Sequence, residues 1–416
     1  MAIFTLNQLL EATSNEAAVR RRQRLQPVGG KGDKIFPPTY PPSDDAKRAN
    51  RNAPPRHVYE RRKLNGQELW CVLVDSVQSQ ANRLEESLLQ AIRDSGINIP
   101  YVVVDFRSKN LAGITEITSL DAPHRIYDAI LRDSLLEREP FMKSAVGQRL
   151  AKARAEDASA VLECSPTALL FGAWHSTGEG GGLGAKFARS LISEIVAIDV
   201  PVEELPNQRT GEIEPRTAGR RTGSRIDPLG VLRKVEVFKG ANGWNVTKEG
   251  AGKNAKQVRP SEINHGNIAP SVDPLGITCD YLEHTFVLSF ASLRRLRFGS
   301  AEKDAVGRTM LAALGFLAVA EQDALGYALR SRCDLVCENQ AELEVVHPNG
   351  SINSVSLDRK GAAALYKEAL EAAKTAGFKL SEKPLRLTPQ DKLVEIVRKS
   401  QELALSGEGG ETEDDA

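Results

Sequence analysis

The run CSPTALLFGAWHSTGEGGGLGAKFARSLISEIVAID, from Cys164 to Asp199, constrains this chain more than any other. Its apolar start predicts a buried strand over Thr167 to Trp174. Five glycines in the seven positions from Gly178 to Gly184 then predict a loop. Glycine tolerates left-handed dihedrals and has no Cβ, so such a loop lets backbone amides approach an anion closely. Lys186 to Glu194 reads as an amphipathic helix, with Lys186 and Arg189 on one face near its start. A helix start with two cations is a candidate phosphate site.

Charge distribution says more than net charge, which is zero over 416 residues. Met1 to Lys63 holds 13 basic and 6 acidic residues, and Leu205 to Pro260 holds 12 and 5. Gln401 to Ala416 has six acidic residues and no basic ones, a low-complexity tail expected to be disordered. The five cysteines form no CxxC pair, which suits reduced thiols in a cytoplasmic protein. The six histidines do not cluster, so spacing predicts no metal site. No apolar run reaches membrane-spanning length, and the N-terminus has no signal-peptide pattern.

Phe4 to Ala12 predicts a short helix. Arg20 to Arg62 reads as a basic arm, kept extended by prolines at 37, 38, 41, 42, 54 and 55. Leu69 to Asp75 predicts a central strand, followed by a helix ended by Gly96. Tyr101 to Phe106 predicts a strand, His124 to Leu136 a helix, and Phe141 to Leu162 a mostly helical stretch. Val231 to Phe238 and Trp244 to Thr247 predict a hairpin about Asn242-Gly243. Ile277 to Phe290 reads as a strand, Asp304 to Arg330 as a buried helix, Arg332 to Val346 as strand and Lys360 to Ala376 as helix. Strands and helices mix without βα alternation, which predicts an α+β fold.

Enzymatic motifs are weak. Gly180, Gly182 and Ala185, with Asp199 further on, align to a dinucleotide fingerprint, but no βα repeat surrounds them. The loop lacks the Gly-Lys-Ser/Thr of a Walker A site. Asp33, Asp75 and Asp199 stand at strand or loop ends without paired spacing. Nucleic-acid binding fits more features. Arg20, Arg21, Arg22, Arg24, Lys31 and Lys34 mark the arm, and Arg216, Arg220, Arg221 and Arg225 a glycine-rich loop. Arg294, Arg295 and Arg297 follow a strand, and such cations track a phosphate backbone without reading sequence. Ser76, Gln78, Ser79, Gln80, Asn82 and Arg83 supply polar donors at a strand-to-helix junction. Trp174 and Trp244 are candidates to stack bases; the bland reading places tryptophans of strands in the core.

Several blocks resemble one family. They are QPVGGKGDKIFPPTYP (26–41), DSVQSQANRLEESLL (75–89), SLDAPHRIYDAILRDS (119–134), SPTALLFGAWHSTGEGGGLGAKFARSLISEI (165–195), RRTGSRIDPLG (220–230) and LSFASLRRLRFG (288–299). The chain resembles the backbone, or Cas-seven class, subunit of a type I-G (formerly I-U) CRISPR effector complex, the Csb-one family. The resemblance spans roughly Arg24 to Leu335. It implies an RRM-like (ferredoxin-like) palm from the strands near Leu69, Leu169 and Thr285. It also implies a β-hairpin thumb, either Arg233 to Asn254 or the neighbouring loop Thr210 to Gly230, and a helical filament along CRISPR RNA. Implied partners are the guide, target DNA through the guide, further copies of the chain, a fused Cas-five/Cas-six subunit, a large subunit and a recruited helicase-nuclease. Type III relatives cut RNA with a loop aspartate; type I members do not, so the expectation is no enzyme and no cofactor, with a metal-dependent ribonuclease as the alternative. His175 and Ser176 stand where WDSTG-like relatives carry Asp-Ser.

On this reading the chain divides into residues 1–66, the first helix and arm; 67–205, the first part of the palm; 206–275, the basic loop and thumb; 276–400, the second part of the palm; and the tail, 401–416. The candidate RNA-binding residues are Arg22, Arg24, Lys31, Lys34, Ser76, Gln78, Ser79, Gln80, Asn82, Arg83, Trp174, His175, Ser176, Lys186, Arg189, Arg220, Arg221, Arg225, Arg294, Arg295 and Arg297.

Overall fold

The computed structural model describes residues 4–42, 55–175, 184–206, 213–216, 225–268 and 275–406. At its centre is a nine-stranded sheet. The main path runs Tyr327–Arg330, Cys333–Cys337, Ala18–Pro27, Tyr281–Ser289, Leu191–Ile198, Gln67–Asp75, Tyr59–Leu64, and each pairing is antiparallel. Leu343–Val346 also pairs with the 18–27 strand and carries Ile352–Val355 beyond it. Two helices, Val77–Ser95 and Ala301–Leu325, pack on one face of this sheet, and Arg359–Thr375 packs outside the second. A five-stranded sheet, with one parallel pair between Val102–Asp105 and Leu385–Pro389, and a three-stranded sheet within 225–268 complete the α+β architecture.

Local signals explain the long helices. Ser76 caps the 77–95 helix by accepting from Ser79 N, and Gly96 ends it at φ +64°. Ser300 and Asp358 cap the other two in the same way. The 301–325 helix is buried over most of its surface, which its small residues make possible. A Cβ at Gly315 would sit 3.0 Å from a Leu191 methyl, and one at Gly307 2.9 Å from the Phe298 ring. Close approach to the sheet therefore depends on glycine at 315, and packing of Phe298 against the helix on glycine at 307.

Five expectations change, four of them within single elements. Thr167 to Trp174 is not one strand: Thr167–Phe171 is a short helix, then Gly172 turns at φ +84° into the two-residue strand Ala173–Trp174. Every residue of the short helix is buried, so periodicity could not separate helix from strand. Lys186 to Glu194 is not a helix. Lys186–Phe187 is a strand rung, and Leu191–Ile198 is a central strand with Leu191, Ser193 and Ile195 alternating inward. No helix N-terminus stands behind Lys186, and the phosphate site built on one falls with it. The expected helix from His124 to Leu136 breaks because Arg125 sits at φ +54°. A 3-10 turn, a four-residue helix capped by Asp128 and a strand replace it. The helix expected to reach Arg330 stops at Leu325, where Gly326 at φ +92° leads into a strand.

The largest change concerns the arm. Its first part is the interior strand Ala18–Pro27, paired on both sides. Val19, Arg21, Gln23 and Leu25 point into the core, and a buried guanidinium there requires a partner. Asp323 of the 301–325 helix supplies it, taking both Nη atoms of Arg21 (Nη2 to Oδ1 2.9 Å). Gln23 accepts from Ala341 N at 2.8 Å and donates to Asn339 O. Beyond the strand the proline stretch is extended, bridging Ile35 to Ile277 and Tyr40 to Arg56.

Candidate nucleic-acid interface

Strand alternation sends the odd residues of 18–27 toward the helices and the even ones to the opposite, more open face. There Arg20, Arg22 and Arg24 stand beside Val287, Thr285 and Glu283, with Ile192, Glu194 and Val196 one strand further on. Carboxylates answer some of these cations: Arg20 pairs with Glu344 at 2.6 Å, and Arg62 with Glu194 at 2.9 Å. Arg24 lies 4.1 Å over the Tyr281 ring, a cation–π contact. Arg22 is exposed and has no ion pair among the described residues. Cys71, Val196 and Ile198 form a small apolar cluster on this face, flanked by Leu64, Leu69, Leu73 and Tyr281.

The Ser76 to Arg83 junction turns the other way. Asp75, fully buried, accepts from Ser79 Oγ (2.8 Å), Gln80 Nε2 (2.7 Å), Arg83 Nε (2.9 Å) and Arg330 Nη2 (3.2 Å). Gln80 Oε1 in turn accepts from Ser193 and Gln322, each at 3.2 Å. Ser193 Oγ lies 2.7 Å from His284 Nε2, and His284 Nδ1 lies 3.0 Å from the Tyr327 hydroxyl, which donates to Asp323. One hydrogen-bonded chain thus crosses the sheet–helix interface. Burial drives the His284 imidazole down to about 3, with Arg21 adding to the effect. Ser76, Ser79, Gln80 and Arg83 are engaged in this network or in the helix cap, while Gln78 and Asn82 are exposed. Asp75 has no free lone-pair face for a metal-bound nucleophile.

The Trp174 hairpin is built outward. Trp174 pairs across two strands with Lys186, whose Nζ lies 5.6 Å from the indole centroid, and the residue remains 56% exposed. Its support is buried. His175 N donates to Ala185 O at 2.8 Å, and the His175 ring stacks on Tyr127 at 5.1 Å and 14°. Arg125 Nη1 donates to Gly172 O at 3.1 Å, and Arg189 Nε to Phe171 O at 3.0 Å. Arg125 also grips the buried Glu85 carboxylate with Nε (2.8 and 3.0 Å) and Nη2 (2.7 Å). Burial raises that carboxyl to about 7 against the opposing pull of Arg125. A Cβ at Gly184 would stand 1.8 Å from His175 O, so glycine there permits the two strands to meet. Burial lowers the His175 imidazole, and the nearby Arg132 and Arg154 push it further down.

The other sequence-predicted residues are dispersed. Lys31 sits 3.3 Å from Glu338, and Lys34 is half-buried. Arg294 is structural, donating to Thr13 O and Glu16 O at 3.0 and 2.8 Å. Arg297 pairs with Asp304 at 2.8 Å, and Arg295 is exposed. Arg225 donates to Gly266 O at 3.0 Å and lines a cavity of about 670 Å³ with Ile226, Leu232, Arg233, Arg259 and Ile268. Ser176, Arg220 and Arg221, with most of the glycine loop, lie outside the described residues. Sequence reasoning gave no role to Arg125, Arg132, Arg154 or Tyr281, though Arg125 and Arg132 lie in the 119–134 block. Among the described residues no group of three or more His, Cys, Asp or Glu is placed to hold a metal, and no helix is long and apolar enough to cross a membrane.

The chain is α+β, with Arg22 and Arg24 on one face of an interior strand and an exposed tryptophan on a short hairpin. Residues 19–202 match the family model described as CRISPR-associated protein GSU0053. The matched segment takes in the strands 18–27, 59–64, 67–75 and 191–198, the 77–95 helix and the Trp174 hairpin. No curated protein matches the chain.

Proposed function

We propose that this chain is the guide-RNA-binding backbone subunit of a type I-G CRISPR effector complex. It is non-catalytic and polymerises along CRISPR RNA, presenting the guide for pairing with target DNA. The observation that carries the reading is the order of four strands. Taken in the sequence order 18–27, 191–198, 281–289 and 333–337, they lie in the sheet as fourth, first, third, second. The 77–95 helix falls between the first two and the 301–325 helix between the last two. This order is like the β-α-β-β-α-β arrangement of ferredoxin-like, RRM-type domains, with the 59–75 hairpin at one edge, and supports reading the sheet as an RRM-like palm. Both helices pack on one face, leaving Arg22, Arg24 and Tyr281 on the other, and RRM-type domains bind single strands on such a face.

The 225–268 module supports a thumb. Its strands Val237–Gly240, Gly243–Asn245 and Lys256–Val258 turn at Gly243 (φ +84°), and it exposes Ile226, Leu229, Leu232 and Trp244. A filament protein must accept arbitrary guide sequence, so it holds sugar and phosphate and leaves Watson–Crick edges free. The partners on this reading are CRISPR RNA, target DNA through the guide, further copies of the chain, a fused Cas-five/Cas-six subunit, a large subunit and a recruited helicase-nuclease.

The test is nucleic acid extracted from the purified protein, followed by RNA binding across a salt series. Short RNA of discrete length is expected. Arg22→Ala with Arg24→Ala is expected to lower affinity and shrink the salt slope by about one unit per lost phosphate contact. Protein that carries no RNA and binds none at low salt sinks the proposal.

A further inference from the structure

We infer that Trp174 is a stacking platform for one unpaired nucleobase of a single-stranded nucleic acid, with Lys186 taking a neighbouring phosphate. The inference rests on the RNA-binding reading above and adds the chemistry of one subsite. Two observations carry it.

The first is exposure without mobility. Trp174 keeps 56% of its surface, so it contributes little to the core, yet the hairpin beneath it is fixed from several sides. Tyr127 stacks on the adjacent His175, Arg125 and Arg189 hold the carbonyls of Gly172 and Phe171, and Gly184 permits backbone contact at His175 O. A rigid, exposed aromatic presents contact area at little entropic cost on binding.

The second is the company it keeps. Lys186 Nζ lies 5.6 Å from the ring centroid, and Arg132 and Arg154 are close enough to depress the imidazole of the adjacent His175. A protein-binding hot spot sits among apolar groups that exclude water. A ring bordered by an ammonium suits a ligand that alternates π-faces with anionic groups, which is the chemistry of a single-stranded nucleic acid.

The experiment measures binding of the full chain to a labelled 12-nucleotide adenylate RNA and to an abasic oligomer of the same length. Trp174→Ala is expected to weaken binding to the adenylate about 5- to 150-fold, the range for one lost base stack. Trp174→Phe is expected to recover most of that loss, and the salt slope to stay unchanged in both. On the abasic oligomer, wild type and Trp174→Ala are expected to bind equally, while Lys186→Ala lowers the salt slope on both ligands by about one unit. Thermal unfolding of Trp174→Ala should match wild type, which excludes a folding defect. Equal binding of wild type and Trp174→Ala to the adenylate, or equal losses on both ligands, overturns the inference and leaves the RNA-binding reading standing. Loss of self-association in Trp174→Ala with RNA affinity intact assigns the ring to a protein contact and overturns it too. Failure of wild type to bind either ligand overturns both readings.

Discussion

At the start of the 77–95 helix a strand hands over to Ser76, Gln78, Ser79, Gln80, Asn82 and Arg83; at the Ala173–Trp174 hairpin a short strand presents Trp174, His175 and Lys186. Both stretches look like donors awaiting a ligand. In the first, Ser79, Gln80 and Arg83 converge on Asp75, a carboxylate with no exposed surface. In the second, the polar work lies below, in Arg125, Arg189, His175 and Tyr127, and the aromatic and the ammonium are left outside. The difference lies in what pairs the buried charge: Glu85 under the hairpin is held by the buried Arg125, whereas Asp75 draws its donors from the junction itself. A buried charge recruits every donor within reach, because an unpaired one costs several kcal/mol. Where the buried groups satisfy one another, the surface groups stay available.

The strongest way to break this comparison is Asp75→Ala. It leaves Arg83 and Arg330 half-buried without their carboxylate and removes acceptors from Ser79 and Gln80. Removing one partner of a buried ion pair costs about 3–5 kcal/mol, to be read as a lower urea midpoint at unchanged slope. A loss below about 1 kcal/mol would mean that the network is solvated and its donors are available to a ligand after all.

A subtler test uses one titrating group from beneath each region. Glu85, under the hairpin, is raised by burial from 4.5 to about 7. Between those values the folded chain holds a proton that the unfolded chain has lost, so this group's stabilisation falls as pH rises. His284, in the Asp75 network, is lowered by burial from 6.5 to about 3. There the unfolded chain holds the extra proton, so stability falls as pH drops. The windows overlap from 4.5 to 6.5 with opposite signs, and the two contributions offset each other. Glu85→Gln should therefore uncover stability that rises with pH across the overlap, and His284→Gln stability that falls. Each slope is at most about 1.4 kcal/mol per pH unit. Urea melts at half-unit pH steps read both; a flat profile in His284→Gln would show that Arg125 keeps the Glu85 carboxylate ionised throughout.

What could be read in advance follows the same division. The 77–95 and 359–375 helices were legible because their caps, Ser76, Gly96 and Asp358, are local signals. The interior strand 18–27 was not, because its arginine-rich text reads as a solvated arm until Asp323, 302 positions away, neutralises Arg21. The 167–171 helix and the 191–198 strand were misread where burial on all sides, or a few residues of overlap, erased the period. Trp174 and Lys186 could be named from sequence, but their pairing across the hairpin could not. Arg154 carried no signal, and Arg132 was named only as part of the 119–134 block; their electrostatic effect on His175 depends on tertiary placement.

The smallest effect gives the finest control. Gln78 and Asn82 lie on the exposed side of the 77–95 helix, beside residues committed to Asp75 but with no hydrogen bond of their own to it. Glutamine and alanine are both good helix formers, and asparagine is a poor one, so Gln78→Ala should be neutral and Asn82→Ala slightly stabilising. Both changes are expected to fall within about 0.5 kcal/mol in urea melts. Neither should alter RNA affinity as Arg22→Ala with Arg24→Ala does, because the open sheet face and the Trp174 hairpin are the surfaces assigned to the ligand. If the double variant Gln78→Ala with Asn82→Ala lost RNA affinity while keeping its urea midpoint, the outer rim of the junction would join the interface. The division between an inward and an outward region would then run through the first turns of this helix, with Ser79 and Gln80 on one side and Gln78 and Asn82 on the other.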